Sequence, residues 1–198
     1  MRDTTVRYAR RALAFAVGAF ALGALAGCGS STASNGPAKM SVLLTDAPGD
    51  VKAAVVTISE IDLQGSGGST VLMSTPVTTD LLTLAGSTAQ LVNGVVVPAG
   101  RYAQLRFVIT GGYVEVENGD GSTSIYASSP DYEGLPDGAQ VSGALQMPSF
   151  GQSGLKVNLP AGVATLSSGQ HIVLVDFNVA QSFGQVAGAS GQWVMHPV

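Results

Sequence analysis

Residues 101–117 read RYAQLRFVITGGYVEVE and carry the most regular pattern in the chain. Apolar and polar side chains alternate over residues 101–110 and again over residues 113–117. Successive side chains of a β-strand point to opposite faces of a sheet, so this alternation predicts two strands. The first strand is predicted to have one apolar face and one polar face, formed by Ala103, Leu105, Phe107 and Ile109 and by Tyr102, Gln104 and Arg106, respectively.

The rest of the chain repeats this pattern in short runs that are separated by turn residues. Residues 118–121, Asn-Gly-Asp-Gly, predict a hairpin turn, and residues 171–179 form a second regularly alternating segment. The pattern gives about nine or ten short strands, with at most a short turn of helix within residues 80–91. We therefore predict an all-β fold, an antiparallel two-sheet β-sandwich of immunoglobulin-like or transthyretin-like kind.

The N-terminal segment ends in Leu25-Ala26-Gly27-Cys28, which resembles the lipobox of bacterial lipoprotein signals. Four arginines precede an uncharged apolar stretch, residues 12–27, as in an export signal. The resemblance implies cleavage between Gly27 and Cys28 and acylation of Cys28, which is the only cysteine of the chain. A helix over residues 12–27 would reach about 24 Å, short of a hydrocarbon core of about 30 Å, which disfavours a permanent transmembrane anchor.

These features predict a signal peptide over residues 1–27, a lipidated cysteine with a flexible tether over residues 28–38, and one domain over residues 39–198. We expect a cell-envelope protein that is held in the membrane through the acyl chains of Cys28. The resemblance to bacterial lipoproteins implies that Gly29, in the position after the cysteine, favours the outer membrane, with the domain facing the periplasm or the cell surface. The pair Arg10-Arg11 leaves open whether export follows the general secretory route or the twin-arginine route.

The charge of the chain excludes one class of partner. After the leader, five cations stand against twelve acids, with no basic cluster. Such a surface argues against nucleic acid as a partner and against electrostatic docking on anionic lipid. Once Cys28 is acylated no thiol remains, so we expect no disulfide and no cysteine-based site.

Several ordered segments together resemble one family of bacterial and archaeal exported proteins, domain of unknown function 4382. They span residues 41–198 and comprise residues 44–50, 56–61, 80–82 and 98–102, then Gln104 and Arg106, and finally residues 152–156 and 176–177. Phe150 and Asn178 depart from the pattern, where Gly and Asp are expected. The resemblance implies an exported location and a shared fold, and it implies no established activity.

The candidate binding residues lie in and beside residues 128–140, SSPDYEGLPDGAQ, a long segment without predicted secondary structure. Long loops on a rigid scaffold often carry function. Tyr126, Tyr132, Asp131 and Glu133 are our candidates for glycan or protein binding, because exposed aromatic rings stack on sugars and carboxylates accept hydrogen bonds. Phe150 and Trp193 are further aromatic options.

Acidic residues suggest two other kinds of chemistry. Two pairs, Glu115 with Glu117 and Glu60 with Asp62, are spaced to share a strand face, and glycosidases use paired carboxylates about 5–9 Å apart. Asp46, Asp50 and Asp80 are candidate ligands for Ca²⁺, which prefers oxygen ligands gathered from loops. Turn capping is the simpler role for Asp46 and Asp50, and we expect no other cofactor.

The sequence therefore favours a lipid-anchored, non-enzymatic module that presents loops to a glycan or an envelope protein. The alternative is an envelope hydrolase of glycosidase-like kind that uses paired carboxylates. A third possibility is a purely structural envelope protein.

Overall fold

The computed structural model describes residues 36–47, 51–186 and 191–197, which lie in one compact unit of the chain. The first six strands are β1 (Ala38–Ala47), β2 (Val51–Gly65), β3 (Gly68–Met73), β4 (Val77–Asp80), β5 (Ala89–Val97) and β6 (Gly100–Glu117). The remaining strands are β7 (Thr123–Ala127), β8 (Val141–Gln146), β9 (Leu155–Asn158), β10 (Thr165–Leu166), β11 (Gly169–Asn178), β12 (Phe183–Gln185) and β13 (Gln192–Met195). A 3-10 helix spans Leu81–Leu84, and a single α-helical turn, α1, spans Val179–Ser182.

The larger sheet is built around β6, a strand of 18 residues. β2 pairs with β6 along one side, and β7, β9 and β10 share the other side. β3 and β4 pair with β2, whereas β8, β13 and β12 extend the sheet beyond β7. The two strands predicted on either side of Gly111-Gly112 are therefore one continuous strand.

The smaller sheet has three strands, with β1 between β11 and β5. β1 pairs with β5 antiparallel but with β11 in parallel, and β8 pairs in parallel with both β7 and β13. The prediction of an all-β, two-sheet sandwich is confirmed, whereas the expectation of purely antiparallel sheets is wrong. Parallel neighbours are joined through long crossover connections, which local alternation does not encode.

One apolar core joins the two sheets. Alternate residues of β1, among them Met40 and Val42, are fully buried against Ile61, Leu63 and Leu105 of the larger sheet. Two sheets that bury one face each against the other form a sandwich, and their outward faces remain available for other contacts.

The start of β6 departs from the predicted alternation. Leu105, Phe107 and Ile109 are buried as expected, but Tyr102 is also buried in the core and Ala103 is exposed. The pairing register of β2 and β6 shifts opposite these residues, between Gln64 and Gly65. A bulge at this point changes the face to which the adjoining residues point, and the Tyr102 hydroxyl donates to the carbonyl of Pro98 at 3.0 Å.

Candidate functional site

Two neighbouring glycines in β6 leave room for an aromatic ring on the outward face of the larger sheet. A Cβ atom on Gly111 would lie 2.6 Å from Cε2 of Tyr132, and one on Gly112 would lie 2.7 Å from the carbonyl oxygen of Val55. Heavy atoms do not approach so closely, so only glycine lets the Tyr132 ring and the neighbouring backbone reach these positions.

The loop of residues 128–140 folds back over these two glycines and is held there by hydrogen bonds. The backbone amide of Ser128 donates to the carbonyl of Gly112 at 2.9 Å, and the Gly112 amide donates to Oγ of Ser128 at 3.1 Å. Two successive turns follow, in which the amide of Tyr132 donates to the carbonyl of Ser129 and the amide of Leu135 to the carbonyl of Tyr132. The loop is therefore ordered by local bonds, and its turns hold Tyr132 over the sheet.

Tyr132 joins an apolar contact to a polar one. Its ring packs at 6.4 Å from the ring of Tyr113, beside a small cluster of buried residues that is separate from the main core. Its hydroxyl lies 2.6 Å from Oγ1 of Thr57, which in turn lies 2.8 Å from Oγ1 of Thr78. Burial raises the pKa of Tyr132, and burial followed by the nearby charges of Asp80 and Glu115 raises the pKa of Tyr113, so both hydroxyls stay protonated at neutral pH.

A groove of about 580 Å³ lies beside this ring, and we call it the Tyr132 groove. Its lining combines threonine hydroxyls, a tyrosine ring and two exposed carboxylates, from Thr57, Pro76, Thr78, Thr110, Asp131, Tyr132, Glu133 and Gly134. The lining contains no lysine, arginine or histidine. Hydroxyls both donate and accept hydrogen bonds and carboxylates accept them, so the groove is suited to a ligand rich in hydroxyl or amino groups.

Three of the four predicted binding residues meet in this groove, and the fourth does not. Asp131, Tyr132 and Glu133 line it together. Tyr126 packs instead against the main core, with its ring 5.7 Å from that of Trp193, whereas the next residue, Ala127, belongs to the small cluster near Tyr132. Because consecutive strand residues point to opposite faces, Tyr126 lies on the other face of the sheet from Tyr132.

The predicted carboxylate pair of Glu60 and Asp62 holds an arginine. Arg106 Nε donates to Asp62 Oδ2 at 2.7 Å, and Arg106 Nη2 donates to Glu60 Oε1 at 3.1 Å. Asp62 is fully buried, and its other oxygen accepts from Ser69 Oγ at 3.0 Å and from Gln64 Nε2. The hydrogen bond to Asp62 is the main cause that raises the pKa of Arg106, and the network supplies partners to both oxygens of the buried Asp62 carboxylate.

The second predicted pair, Glu115 and Glu117, lies at the C-terminal end of β6. Glu117 forms an ion pair with Lys52, and both side chains are about half exposed. An exposed pair of this kind contributes little to stability, and it places a cation beside the carboxylate.

Of the predicted calcium ligands, Asp80 has a structural role. Its Oδ1 accepts from the backbone amides of Ala54 and Leu82, each at 3.1 Å, and so caps the 3-10 helix. Asp46 lies in β1 opposite Phe177, and Asp50 lies outside the described residues. Within the described ranges, no three His, Cys, Asp or Glu residues are grouped to hold a metal ion.

Sequence reasoning did not find the threonines of the Tyr132 groove. Thr57 and Thr78 are direct partners in the register of β2 and β4, so their contact depends on strand pairing. Thr110 is an exposed residue next to the glycine pair of β6. A pairing of β2 with β4 inferred from sequence would have placed the first two side by side.

The fold and the groove define an all-β sandwich domain with a loop-bordered polar groove on one outward face. The chain matches the family model described as domain of unknown function (DUF4382) over residues 37–197, and it belongs to that family. The resemblance inferred from its ordered segments is thereby confirmed. Neither a curated protein nor a solved structure matches the chain.

The predicted lipid attachment at Cys28 and cleavage after Gly27 lie outside the described residues. Among the helices that the structure describes, none is long and apolar enough to span a bilayer.

Proposed function

We propose that this protein is a lipid-anchored, non-enzymatic binding module of the cell envelope, and that its Tyr132 groove binds a glycan. The observation that carries the proposal is the meeting of Asp131, Tyr132 and Glu133 with Thr57 and Thr78 around one groove. Acylated Cys28 would hold the domain at the membrane, and several acyl chains make such anchoring stable.

The lining of the groove favours a neutral sugar or an amino sugar. Thr78 and Thr110 are exposed hydroxyls, each able to donate and accept a hydrogen bond. Asp131 and Glu133 add acceptors, and the lining supplies no cation to bind a phosphate or a uronate. The volume of about 580 Å³ falls within the usual range of small-ligand sites, about 300–1,000 Å³.

The partners of the other carboxylates support binding over hydrolysis. A glycosidase needs one carboxylate to donate a proton and a second to attack or to activate water. Glu60 and Asp62 share Arg106, and Glu117 pairs with Lys52. Three of the four candidate carboxylates are therefore paired with a cation and not with each other.

A glycan array probed with the purified full-length protein tests the groove. Thr78→Val and Thr110→Val remove hydroxyls while keeping the side-chain shape, and we expect each to weaken binding about tenfold, since one lost hydrogen bond costs about 1–1.5 kcal/mol. Thr123→Val is the matched control, an exposed threonine of β7 that does not line the groove. Binding that survives both groove substitutions, or the absence of any glycan signal, would contradict this proposal.

The anchor requires its own measurement. Mass spectrometry of the N-terminal peptide from the native host should show a mature chain that starts at acylated Cys28. The Cys28→Ala variant should lose the lipid and leave the membrane fraction. An unprocessed N-terminus would overturn the anchored location while leaving the groove to be judged by the array.

A further inference from the structure

Exposed apolar side chains concentrate on the outward face of the smaller sheet. Four large apolar side chains of the described residues are mainly exposed, and three of them lie in β5 and β11. These are Val96, Ile172 and Leu174, with 60%, 67% and 59% of their surfaces exposed. The fourth, Val71, lies on the larger sheet. Single exposed apolar residues are ordinary, whereas a cluster of them marks a contact surface.

The strand register places these side chains on one face. Val96 pairs with Lys39, and Leu174 pairs with Leu43, both residues of β1. Paired residues of neighbouring strands share a face of the sheet, and the alternate β1 residues Met40 and Val42 are fully buried in the core on the other face. We call the outward cluster of Val96, Ile172, Leu174 and Leu43 the small-sheet patch.

The small-sheet patch adjoins the point where the tether joins the domain. Nine residues lie between Cys28 and Ala38, the first residue of β1. The covalent chain between them can reach at most about 35 Å. A folded domain of this length has a radius of gyration of about 15 Å, so the faces beside Ala38 lie nearest to the point where the chain leaves for Cys28.

We propose that the small-sheet patch rests on the surface of the phospholipid bilayer to which Cys28 is attached. This inference depends on the proposed lipid anchor. On this face Lys39 lies at the end next to the tether and Asp176 at the other end, opposite Thr45, so the end nearest the anchor carries the cation. The apolar side chains enter the interfacial region of the bilayer. Binding therefore does not require electrostatic attraction between this acidic domain and the lipid.

This orientation also determines the direction in which the Tyr132 groove opens. The patch lies on the outward face of the smaller sheet, and the groove lies on the outward face of the larger one. The two faces are on opposite sides of the sandwich core. A domain that rests on the patch therefore turns the groove away from the lipid, towards ligands in the surrounding medium.

Depth-dependent quenching of a fluorescent label tests the orientation. In the full-length acylated protein the thiol of Cys28 is blocked, so Leu174→Cys and Val71→Cys each provide one labelling site. Val71 is the matched control, being apolar, 51% exposed and on the opposite sheet. In vesicles of phosphatidylethanolamine and phosphatidylglycerol that carry nitroxide lipids, we expect quenching at Leu174 to exceed that at Val71 at least twofold.

The outcomes separate this inference from the anchor itself. A protein that does not float with the vesicles lacks the anchor, and the inference falls with it. A protein that floats but is quenched equally at both positions keeps the anchor and overturns the orientation. A Leu174 label that is shielded without lipid quenching, in a protein that elutes as a dimer, would assign the patch to a second copy of the chain and would also overturn it.

Discussion

The contact between Gly111 and Tyr132 makes Gly111→Ala the most informative substitution in the domain. The added Cβ would lie 2.6 Å from the tyrosine ring, so the ring must withdraw by about 1 Å to restore an ordinary contact of about 3.5–4.0 Å. That movement would lengthen the 2.6 Å bond between the Tyr132 hydroxyl and Thr57 beyond hydrogen-bonding distance. A lost hydrogen bond costs about 1 kcal/mol and overpacking about 1–3 kcal/mol, so we expect a loss of about 2 kcal/mol in the free energy of unfolding.

Thermal and urea unfolding of the full chain measure this loss. A destabilisation of about 2 kcal/mol lowers the melting temperature of a domain of this size by about 4–8 °C. Gly119→Ala is the control, because a Cβ atom at that position has no neighbour within 4 Å. In a Tyr132→Ala background the same Gly111→Ala change should become neutral or slightly stabilising, since replacing a strand glycine reduces the entropy of the unfolded chain. An equal cost of Gly111→Ala in both backgrounds would refute the steric reasoning.

Three further predictions concern charge and capping. Asp62→Asn should lower the free energy of unfolding by about 2–3 kcal/mol in urea, because it removes the main charged partner of the partly buried Arg106. Glu117→Gln is the control at an exposed ion pair and should cost below about 0.5 kcal/mol. Asp80→Ala should cost about 1–2 kcal/mol by the same method, and a neutral result would remove its role as a cap. The raised pKa values of Tyr132 and Tyr113 favour the protonated hydroxyls in the folded state, so their contribution to stability is complete below a pH of about 10 and is lost above it. Absorbance at alkaline pH should show these two tyrosines ionising after the exposed ones, and Tyr132→Phe should remove one of the late transitions.

Local alternation was sufficient to predict most strands but not their partners. The hairpin of β6 and β7 at the predicted Asn118 turn, the strand β11 and the short helical turn after Asp80 are all present. The parallel pairing of β1 with β11 is absent from any sequence window, because it joins the two ends of the domain. The reversal at Tyr102 likewise depends on the pairing of β6 with β2, which leaves Ala103 of β6 as the extra residue of a bulge. Sequence periodicity records which residues are buried within one strand, and it carries no information on register between distant strands.

The candidate site was predictable to the extent that its residues are close in sequence. The long loop contains three consecutive groove residues, Asp131, Tyr132 and Glu133. Its length alone indicated a functional segment. Tyr126 does not line the groove, because its side chain points to the core face of the sheet. The face to which a strand residue points is fixed by its pairing with the neighbouring strand, here with Val114 of β6. The burial of Asp62 was also missed, because only the tertiary fold brings Arg106 and Ser69 to it.

The parallel pair of β1 and β11 imposes an order on the biogenesis of the protein. Ala38 leaves the ribosome about 130 residues before its partner Gly169. Until then one edge of β1, the central strand of the smaller sheet, has no partner, and unpaired strand edges promote aggregation. If the proposed export follows the general secretory route, the chain also crosses a membrane unfolded, and β1 stays without its parallel partner until β11 has followed it.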